Sequence, residues 1–365
     1  MCKLRTLQNK LHPMHKFQIE SLSTELDDKI LNKTNTKTKP LGSLGILERI
    51  ACKIAKIQGT LKPEIKSPSV VVFAGDHGIA DDGVSFYPKS VSYQMLYNYM
   101  GGGAAINVFS RQHGINFKVV DAGVDHDFEP DLAIINRKVA YGTKNYRFES
   151  AMTKEQCQEA IEKGAGIIED CHKEGCNFIA FGEKGIGNTS SAALILSLLG
   201  DIPLEDCVGR GTGLDKAGVK SKYDLLHEGL SKYTGKTNDA LEVMTYFGGF
   251  EIAMIMGGML KAAELKMTLL IDGFIITSAL LAASKINTKV LEYCLYAHKS
   301  NEKAHISMLN HLGAEPIMDI GMRLGEGTGA MVCYPLVKSA VQYFNEMASF
   351  EEAGVSEALE EEAVL

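Results

Sequence analysis

The chain has 365 residues, of which 45% are hydrophobic and 23% are charged, as is typical of a globular protein with a substantial core. This composition excludes fibrous, low-complexity and disordered proteins, and the length predicts two domains or one large domain with an attachment. The net charge is −7 and the basic residues are scattered, which argues against a nucleic-acid partner.

The N-terminus, the cysteines and the apolar segments together favour a cytoplasmic protein. The first 16 residues are basic but lack the apolar core of a signal peptide. The eight cysteines form no C-x-x-C pair, so we expect reduced thiols. The most apolar stretch, Met267 to Ser284, is interrupted by Asp272 and Gly273, whereas a membrane span needs about 20 apolar residues. No membrane partner is therefore expected.

Residues 15–66 are predicted to be helical, because apolar side chains recur there at three- and four-residue spacing. These side chains are Leu44, Ile46, Leu47, Ile50 and Ile54. The segment from Lys39 to Gly45 interrupts the spacing and is expected to lead into a helix.

Short apolar runs that end in acidic residues or glycine are predicted to be buried parallel strands. They begin at Ser69, Phe117, Phe178 and Leu269, and a fifth candidate spans residues 317–320. Amphipathic helices are predicted between them, for example over residues 153–170, 189–199 and 254–265. This alternation predicts an open parallel sheet with helices on both faces, which binds ligands at the carboxyl ends of its strands.

Two glycine-rich segments are candidates for phosphate binding. Residues 182–191 follow a strand and precede a helix, whose first N–H groups favour an anion; a plain capped turn is the alternative. Residues 209–215 are followed by three lysines and form either a phosphate cradle or a flexible loop with a solvated basic helix. Neither segment matches the Walker A or G-x-G-x-x-G pattern.

Glu326, between Gly325 and Gly327, is the candidate general base. Its small neighbours leave room for a flat substrate, and an apolar surround raises the pKa of a carboxyl toward the useful range. The alternative is a loop glutamate in water.

The histidines are not expected to bind a metal. His77 lies near three aspartates, but no second histidine has ligand spacing, so a hydrogen-bonded structural or substrate-facing role is favoured. His298, His305 and His311 do not share one helix face and are expected to be solvated.

Six segments, in the same order and at the same spacing, resemble the nicotinate-nucleotide–dimethylbenzimidazole phosphoribosyltransferase family of cobalamin lower-ligand synthesis. They are residues 39–45, 74–78, 182–189, 248–251, 270–274 and 323–329. The resemblance implies transfer of ribose 5-phosphate from nicotinate mononucleotide to 5,6-dimethylbenzimidazole, which gives α-ribazole 5′-phosphate and nicotinate with inversion at the anomeric carbon. No metal or redox cofactor is implied.

The resemblance also implies an α/β fold with two domains in a homodimer. A large Rossmann-like domain with a parallel sheet and helices on both faces is assigned to residues 67–335. A small helical domain is built from both chain ends, residues 1–66 and 336–365, the latter with an acidic tail. The first 14 and last 15 residues lie outside the matching region.

The resemblance assigns site residues by position. Glu326 matches the catalytic base, Glu183 matches a second active-site glutamate, and Arg323 shares the motif of the base. Gln94 falls where the family has base-pocket residues. The phosphate- and ribose-binding segments match Gly185, Gly187, Asn188, Gly211, Thr212 and Lys222.

Three other functions stay open. The sheet pattern also suits an NAD-dependent dehydrogenase, although no G-x-G-x-x-G follows the first strand. A non-catalytic nucleotide-binding or scaffold protein is possible on the same fold. A family member acting on another base, such as adenine, another benzimidazole or a phenol, would share every motif.

Overall fold

The computed structural model describes residues 15–356, whose helices alternate with seven strands. The helices are α1 (Asp27–Asn35), α2 (Ile46–Gln58), α3 (Val91–Met100), α4 (Ala105–His113), α5 (Lys154–Lys173), α6 (Asn188–Leu199), α7 (Leu204–Cys207), α8 (Lys216–Ser231), α9 (Ala240–Phe247), α10 (Phe250–Glu264), α11 (Phe274–Ile286), α12 (His305–His311), α13 (Thr328–Glu346) and α14 (Phe350–Ala353). The strands are β1 (Ser69–Gly75), β2 (Asn116–Gly123), β3 (Ile134–Asn136), β4 (Phe178–Lys184), β5 (Thr268–Ile271), β6 (Cys294–His298) and β7 (Pro316–Met318). Short 3₁₀ helices span Gly78–Asp82 and Thr288–Tyr293.

The seven strands form one parallel sheet in the order β3-β2-β1-β4-β5-β6-β7. This confirms the predicted α/β class and all five predicted strands. Strands β3 and β6 were not predicted. The chain winds outward in both directions from the β1–β4 pair, so the strand order reverses there, and ligands of open α/β sheets bind at such a reversal.

Helices cover both faces of the sheet, as predicted. Side chains of β1 alternate between two buried clusters, with Val71 and Phe73 in one and Val70 and Val72 in the other. The first cluster includes α5, α6, α9, α10 and α11, and the second includes α2, α3, α4 and α13. Helix α2 begins directly after the interrupting segment 39–45, as expected.

Helices α5 and α10 approach each other closely because both carry glycine at their crossing. A Cβ atom on Gly164 would lie 1.9 Å from the carbonyl oxygen of Met254, and one on Gly257 would lie 2.0 Å from that of Ile161. Alanine at either position would force the two helices apart. Helix α10 is buried along nearly its whole length and packs against one face of the sheet.

The prediction that the helical region begins at residue 15 is wrong, because residues 15–24 form neither a helix nor a strand. Phe17 and Ile19 are buried at two-residue spacing, which suits an extended segment. Its backbone is held by distant partners: the N–H of Gln18 donates to Glu264 (2.6 Å), and the N–H of Leu22 donates to Glu292 (2.7 Å). Tertiary contacts therefore fix a conformation that the local spacing does not indicate.

The proposed division into 1–66, 67–335 and 336–365 stays a prediction. Helices α1 and α2 from one end of the chain contact each other, and α2 packs on α13 from the other end. The first 14 residues and the acidic tail beyond residue 356 lie outside the described residues. Within the described part of the chain, no helix is both long and apolar enough to cross a membrane.

Candidate active site

A cavity of about 440 Å³ opens at the carboxyl edge of the sheet. Its walls come from the ends of β4, β5 and β6, the loop before α13, the start of α6, and residues of α3. The polar and charged lining includes Glu183, Lys184, Asn188, Thr189, Thr212, Asp272, His298, Ser300, Glu302, Arg323 and Glu326. Such an arrangement of convergent polar groups in an apolar-walled cleft is typical of small-molecule sites.

Glu326 lies in a turn of unusual backbone conformation at one end of the cavity. Gly325, Glu326 and Gly327 have φ angles of 84°, 65° and 83°, all left-handed. A non-glycine residue in that region costs on the order of 1–3 kcal/mol and persists only where its surroundings hold it. The two flanking glycines allow the turn, and the Glu326 side chain itself is buried, with 6% of the residue exposed.

Glu183, near the end of β4, lies directly behind that turn. One of its carboxylate oxygens accepts a hydrogen bond from the backbone N–H of Glu326 at 3.3 Å, and the other accepts from the side-chain amide of Asn188. The backbone approach is close, since a Cβ on Gly182 would lie 2.3 Å from the Glu326 carbonyl oxygen. The glycine before Glu183 is therefore required for the two glutamates to meet.

Burial changes the proton affinity of both acids. It raises the pKa of Glu183 to about 8 and also raises the pKa of Glu326, because each charged form loses its water. The ammonium of Lys184 lies 3.7 Å from Oε1 of Glu326 and opposes the rise. Tyr99 faces both acids from α3, and burial followed by their charges holds the pKa of Tyr99 well above its usual value.

At the other end of the cavity, cationic side chains lie around the carboxylate of Glu302. Lys222 of α8 is almost completely buried, donates to Thr189 Oγ1 (2.8 Å), and burial lowers its pKa to about 8. Arg323 donates to the carbonyl oxygen of Gly211 at 3.1 Å, which fixes its guanidinium beside the glycine-rich segment 209–215. Helix α6 begins at Asn188, after Gly187 in left-handed conformation (φ 100°), and its first two residues, Asn188 and Thr189, line the cavity, so the positive end of this helix lies there.

Most of the predicted site residues come together in this cavity. The residues that line it are Glu183, Gly185, Asn188, Gly211, Thr212, Arg323 and Glu326. Gly187 packs against His77 and Ile79 behind the wall, and Lys222 lies behind Thr189. Gln94 is exposed on α3, whereas its neighbours Val91 and Met95 line the cavity. The function of each of these residues stays a prediction.

The prediction that His298 and His305 are solvated is wrong. His298 is 3% exposed and its Nε2 lies 3.4 Å from Oδ1 of Asp272. His305 is fully buried, with Nε2 3.0 Å from the Thr277 hydroxyl and Nδ1 accepting from the N–H of Ser300 at 2.8 Å. Burial lowers the pKa of His305 to about 3. His311, in contrast, is exposed.

Several polar residues of the cavity are not among the predicted site residues, and Asp272, His298 and Glu302 are three of them. Asp272 directly follows β5 and His298 ends β6, so both lie where ligands of parallel sheets bind. The apolar run Cys294–Ala297 before His298 was the available signal, because it has the length and composition of a buried strand.

His77 has the hydrogen-bonded role that the sequence favours. Its Nε2 lies 2.6 Å from Oε1 of Glu251, its Nδ1 lies 3.1 Å from the Ser191 hydroxyl, and all three residues are fully buried. The nearby Asp81 and Asp82 point to other partners, Lys89 at 2.5 Å and Arg147 at 2.9 Å. The His77–Glu251 pair lies under Gly185 and supports the cavity wall.

The chain is similar to known proteins over nearly its whole length. A family described as phosphoribosyltransferase matches residues 19–355. A nicotinate-nucleotide–dimethylbenzimidazole phosphoribosyltransferase of Dechloromonas aromatica (strain RCB) is 54% identical over 346 residues, which cover 94% of this chain and 99% of that protein. One of the same name from Bacteroides fragilis (strain ATCC 25285) is 47% identical over 343 residues, with 94% and 99% covered. The crystal structure of such an enzyme from Thermus thermophilus has a TM-score of 0.87 and 35% identity, and the match covers 92% of this chain and 100% of that one.

Proposed function

The chain belongs to the nicotinate-nucleotide–dimethylbenzimidazole phosphoribosyltransferase family, and we propose that it transfers ribose 5-phosphate from nicotinate mononucleotide to 5,6-dimethylbenzimidazole. The products are α-ribazole 5′-phosphate and nicotinate, with inversion at the anomeric carbon. The observation that supports this most directly is the polarity of the cavity. Two buried carboxyl groups lie at one end, and at the other end the cations Lys222 and Arg323 lie around a single carboxylate, that of Glu302.

Glu326 is proposed as the general base. The pyridinium of nicotinate mononucleotide leaves as neutral-ring nicotinate without needing a proton, so the difficulty lies with the nucleophile. One benzimidazole nitrogen attacks C1′ while the other still carries its hydrogen. A carboxylate that removes this proton makes the attacking nitrogen more electron-rich, an effect that contributes about 10²–10⁴ in rate. The buried position of Glu326 raises its pKa toward that of the acceptor and favours the transfer.

Glu183 is proposed to act in its neutral form. With a pKa of about 8 it carries a proton at pH 7, so it provides little negative charge for a cationic ribose. A neutral carboxyl can donate to a ribose hydroxyl and still accept from the Glu326 backbone. We therefore favour a role in holding the ribose over electrostatic stabilisation of its positive charge.

The cationic end of the cavity is proposed to bind the 5′-phosphate. Lys222, Arg323 and the N-terminal end of α6 supply positive charge, and Gly185 and Gly211 have no side chains to fill the space of the phosphate oxygens. Gln94 is exposed on α3 and does not line the cavity, so we propose no direct contact between it and the acceptor.

The test is to incubate the purified protein with nicotinate mononucleotide and 5,6-dimethylbenzimidazole and to separate the products by chromatography. The proposal predicts equal amounts of nicotinate and α-ribazole phosphate, and neither product without the base. Nicotinate release independent of the base would indicate hydrolysis instead. A change in absorbance near 340 nm on adding NAD would support the dehydrogenase alternative, which the family membership does not favour.

The identity of the base that accepts the ribose 5-phosphate is a separate question. Single-methyl differences between bases are worth only about 1–3 kcal/mol in an apolar pocket, so several bases are expected to react. A competition assay with dimethylbenzimidazole, adenine and a phenol, read by product ratios, ranks them. We expect dimethylbenzimidazole to lead, and a preference for adenine or the phenol would replace it as the acceptor.

We also propose a homodimer in the cytoplasm. Two large apolar side chains that line the cavity are exposed, Tyr87 (53%) and Leu324 (58%), and Phe86 (64%), which precedes Tyr87, is exposed as well. Exposed apolar groups in one region favour a protein partner, and a second copy would cover them. Light scattering should give twice the chain mass, and a monomer at micromolar concentration would contradict the proposal.

A further inference from the structure

The turn that carries Glu326 needs support from outside itself. Three consecutive left-handed residues, one of them a glutamate, form a conformation that the chain does not favour locally. The turn leads into helix α13, whose first N–H groups have no partners within the helix. Something must therefore hold both the turn and these N–H groups in place.

Asp272 meets that requirement from the neighbouring strand. Its Oδ2 accepts from the N–H of Gly327 at 3.2 Å, and its Oδ1 accepts from the N–H of Ala330 at 2.9 Å. A single carboxylate thus bonds the residue after Glu326 and the first turn of α13. The carboxylate is 2% exposed, so water does not compete for these bonds.

The packing around Asp272 is tight. A Cβ atom on Gly329 would lie 2.7 Å from Oδ1 of Asp272 and 2.2 Å from Cδ2 of His298. His298 itself approaches the carboxylate at 3.4 Å and offsets its charge, and although burial opposes it, pairing with Asp272 raises the pKa of His298. The chain thus keeps a buried anion, a glycine and a paired histidine at this one position.

We propose that Asp272 is a positioning residue of the transferase, which holds Glu326 against the acceptor by clamping Gly327 and Ala330, with His298 as its charge partner. The proposal rests on the proposed role of Glu326 as the base. Because a displacement of about 1 Å at a reacting group can cost about 10²-fold in rate, loss of the clamp should reduce turnover more than nucleotide binding.

The clamp also sets the charge around the base. Glu326 faces Lys184 and Glu183 from β4, Tyr99 from α3 and Asp272 beyond β5, with His298 behind Asp272. Besides burial, which is the larger cause, the negative charge of Asp272 raises the pKa of Glu326. Neutralising Asp272 therefore lets Glu326 ionise at lower pH. Neutralising His298 leaves the negative charge of Asp272 without its partner, so Glu326 should ionise at higher pH.

The test compares Asp272→Asn with the matched control Asp121→Asn. Asp121 is also a buried aspartate at the end of a strand, accepts from the N–H of Val124 (2.9 Å) and pairs with Lys138 (3.2 Å), but it does not line the cavity. For Asp272→Asn we expect kcat to fall about 10–100-fold and KM for nicotinate mononucleotide to stay within about threefold. The acid limb of the pH profile, where kcat falls because Glu326 takes up a proton, should move to lower pH. In Asp121→Asn the acid limb of kcat should lie at the same pH as in the wild type.

A folded Asp272→Asn enzyme with kcat within about twofold of wild type would overturn the proposal, as would a loss of kcat with an unmoved limb. If that variant does not fold, His298→Gln takes its place, with the acid limb expected to move to higher pH; an unmoved limb contradicts the clamp. Glu326→Gln separates the two claims. If it retains turnover, the proposed base is wrong, whereas loss in Glu326→Gln with full activity in Asp272→Asn rejects only the clamp.

Discussion

The carboxylate of Glu183 accepts a hydrogen bond from the backbone N–H of Glu326 at 3.3 Å, so the side chain of one acid holds the main chain of the other. This contact joins the end of β4 to the turn before α13. The two acids are therefore not interchangeable: one is part of the support, and the other is free to face a ligand. Their different surroundings give them different expected titrations.

Glu183→Gln tests whether the neutral form of Glu183 is the active one. If it is, kcat of the wild type should fall as pH rises through about 8, the pKa that burial gives to Glu183. Glutamine stays neutral at every pH, so the variant should lose this alkaline limb while keeping part of its turnover at about pH 7. The measurement is kcat from about pH 6 to about pH 9.5 at saturating substrates. A limb that persists in the variant would assign it to another group.

Lys222→Ala tests the phosphate site. A charge-assisted hydrogen bond is worth about 1.5–3 kcal/mol, so KM for nicotinate mononucleotide should rise about 10–100-fold with a smaller change in kcat. In the wild type, kcat/KM for the nucleotide should fall above about pH 8, where the buried ammonium loses its proton. Lys220→Ala is the control, because Lys220 is on the same helix but exposed and paired with Asp224. An unchanged KM in Lys222→Ala would place the phosphate elsewhere.

Gly327→Ala tests the packing of the turn. Gly327 has φ 83°, and a Cβ there would lie 3.2 Å from the Cα of Gly182. Gly313 also has a left-handed φ (61°), but a Cβ there meets no atom within 4 Å. Both substitutions should lose the backbone term of about 1–2 kcal/mol, and Gly327→Ala should lose more, as urea unfolding would measure. Equal free energies of unfolding for the two variants would mean that the turn relaxes without cost.

The sequence predicts the sheet well where strands carry runs of aliphatic side chains, as in β1, β2, β4 and β5. It does not predict β3, which has only three residues, none of them buried. It does not predict β6 either, because Tyr296 and His298 interrupt the aliphatic composition that is typical of a buried strand. The sequence does not predict the non-helical conformation of residues 15–24 either, because their backbone partners, Glu264 and Glu292, lie 246 and 270 residues away along the chain. The spacing of apolar residues along the chain does not indicate such long-range contacts.

The candidate site divides in the same way. Glu326, Arg323 and the glycine loops have local signals, because tight turns and close approaches require glycine at fixed positions. Asp272 and His298 have only the weak signal of an apolar run before each of them, and their importance comes from the parallel pairing of β5 with β6 and from the N-terminus of α13. Their roles become visible only when the strands are placed side by side.

The most direct test of the central claim is Glu326→Gln, with turnover and nucleotide binding measured on the same preparation. Glutamine keeps the shape of the side chain but cannot accept the acceptor's proton. The account predicts that kcat falls about 10²–10⁴-fold while Kd for nicotinate mononucleotide changes less than about twofold. Turnover near that of the wild type would show that Glu326 is not the base.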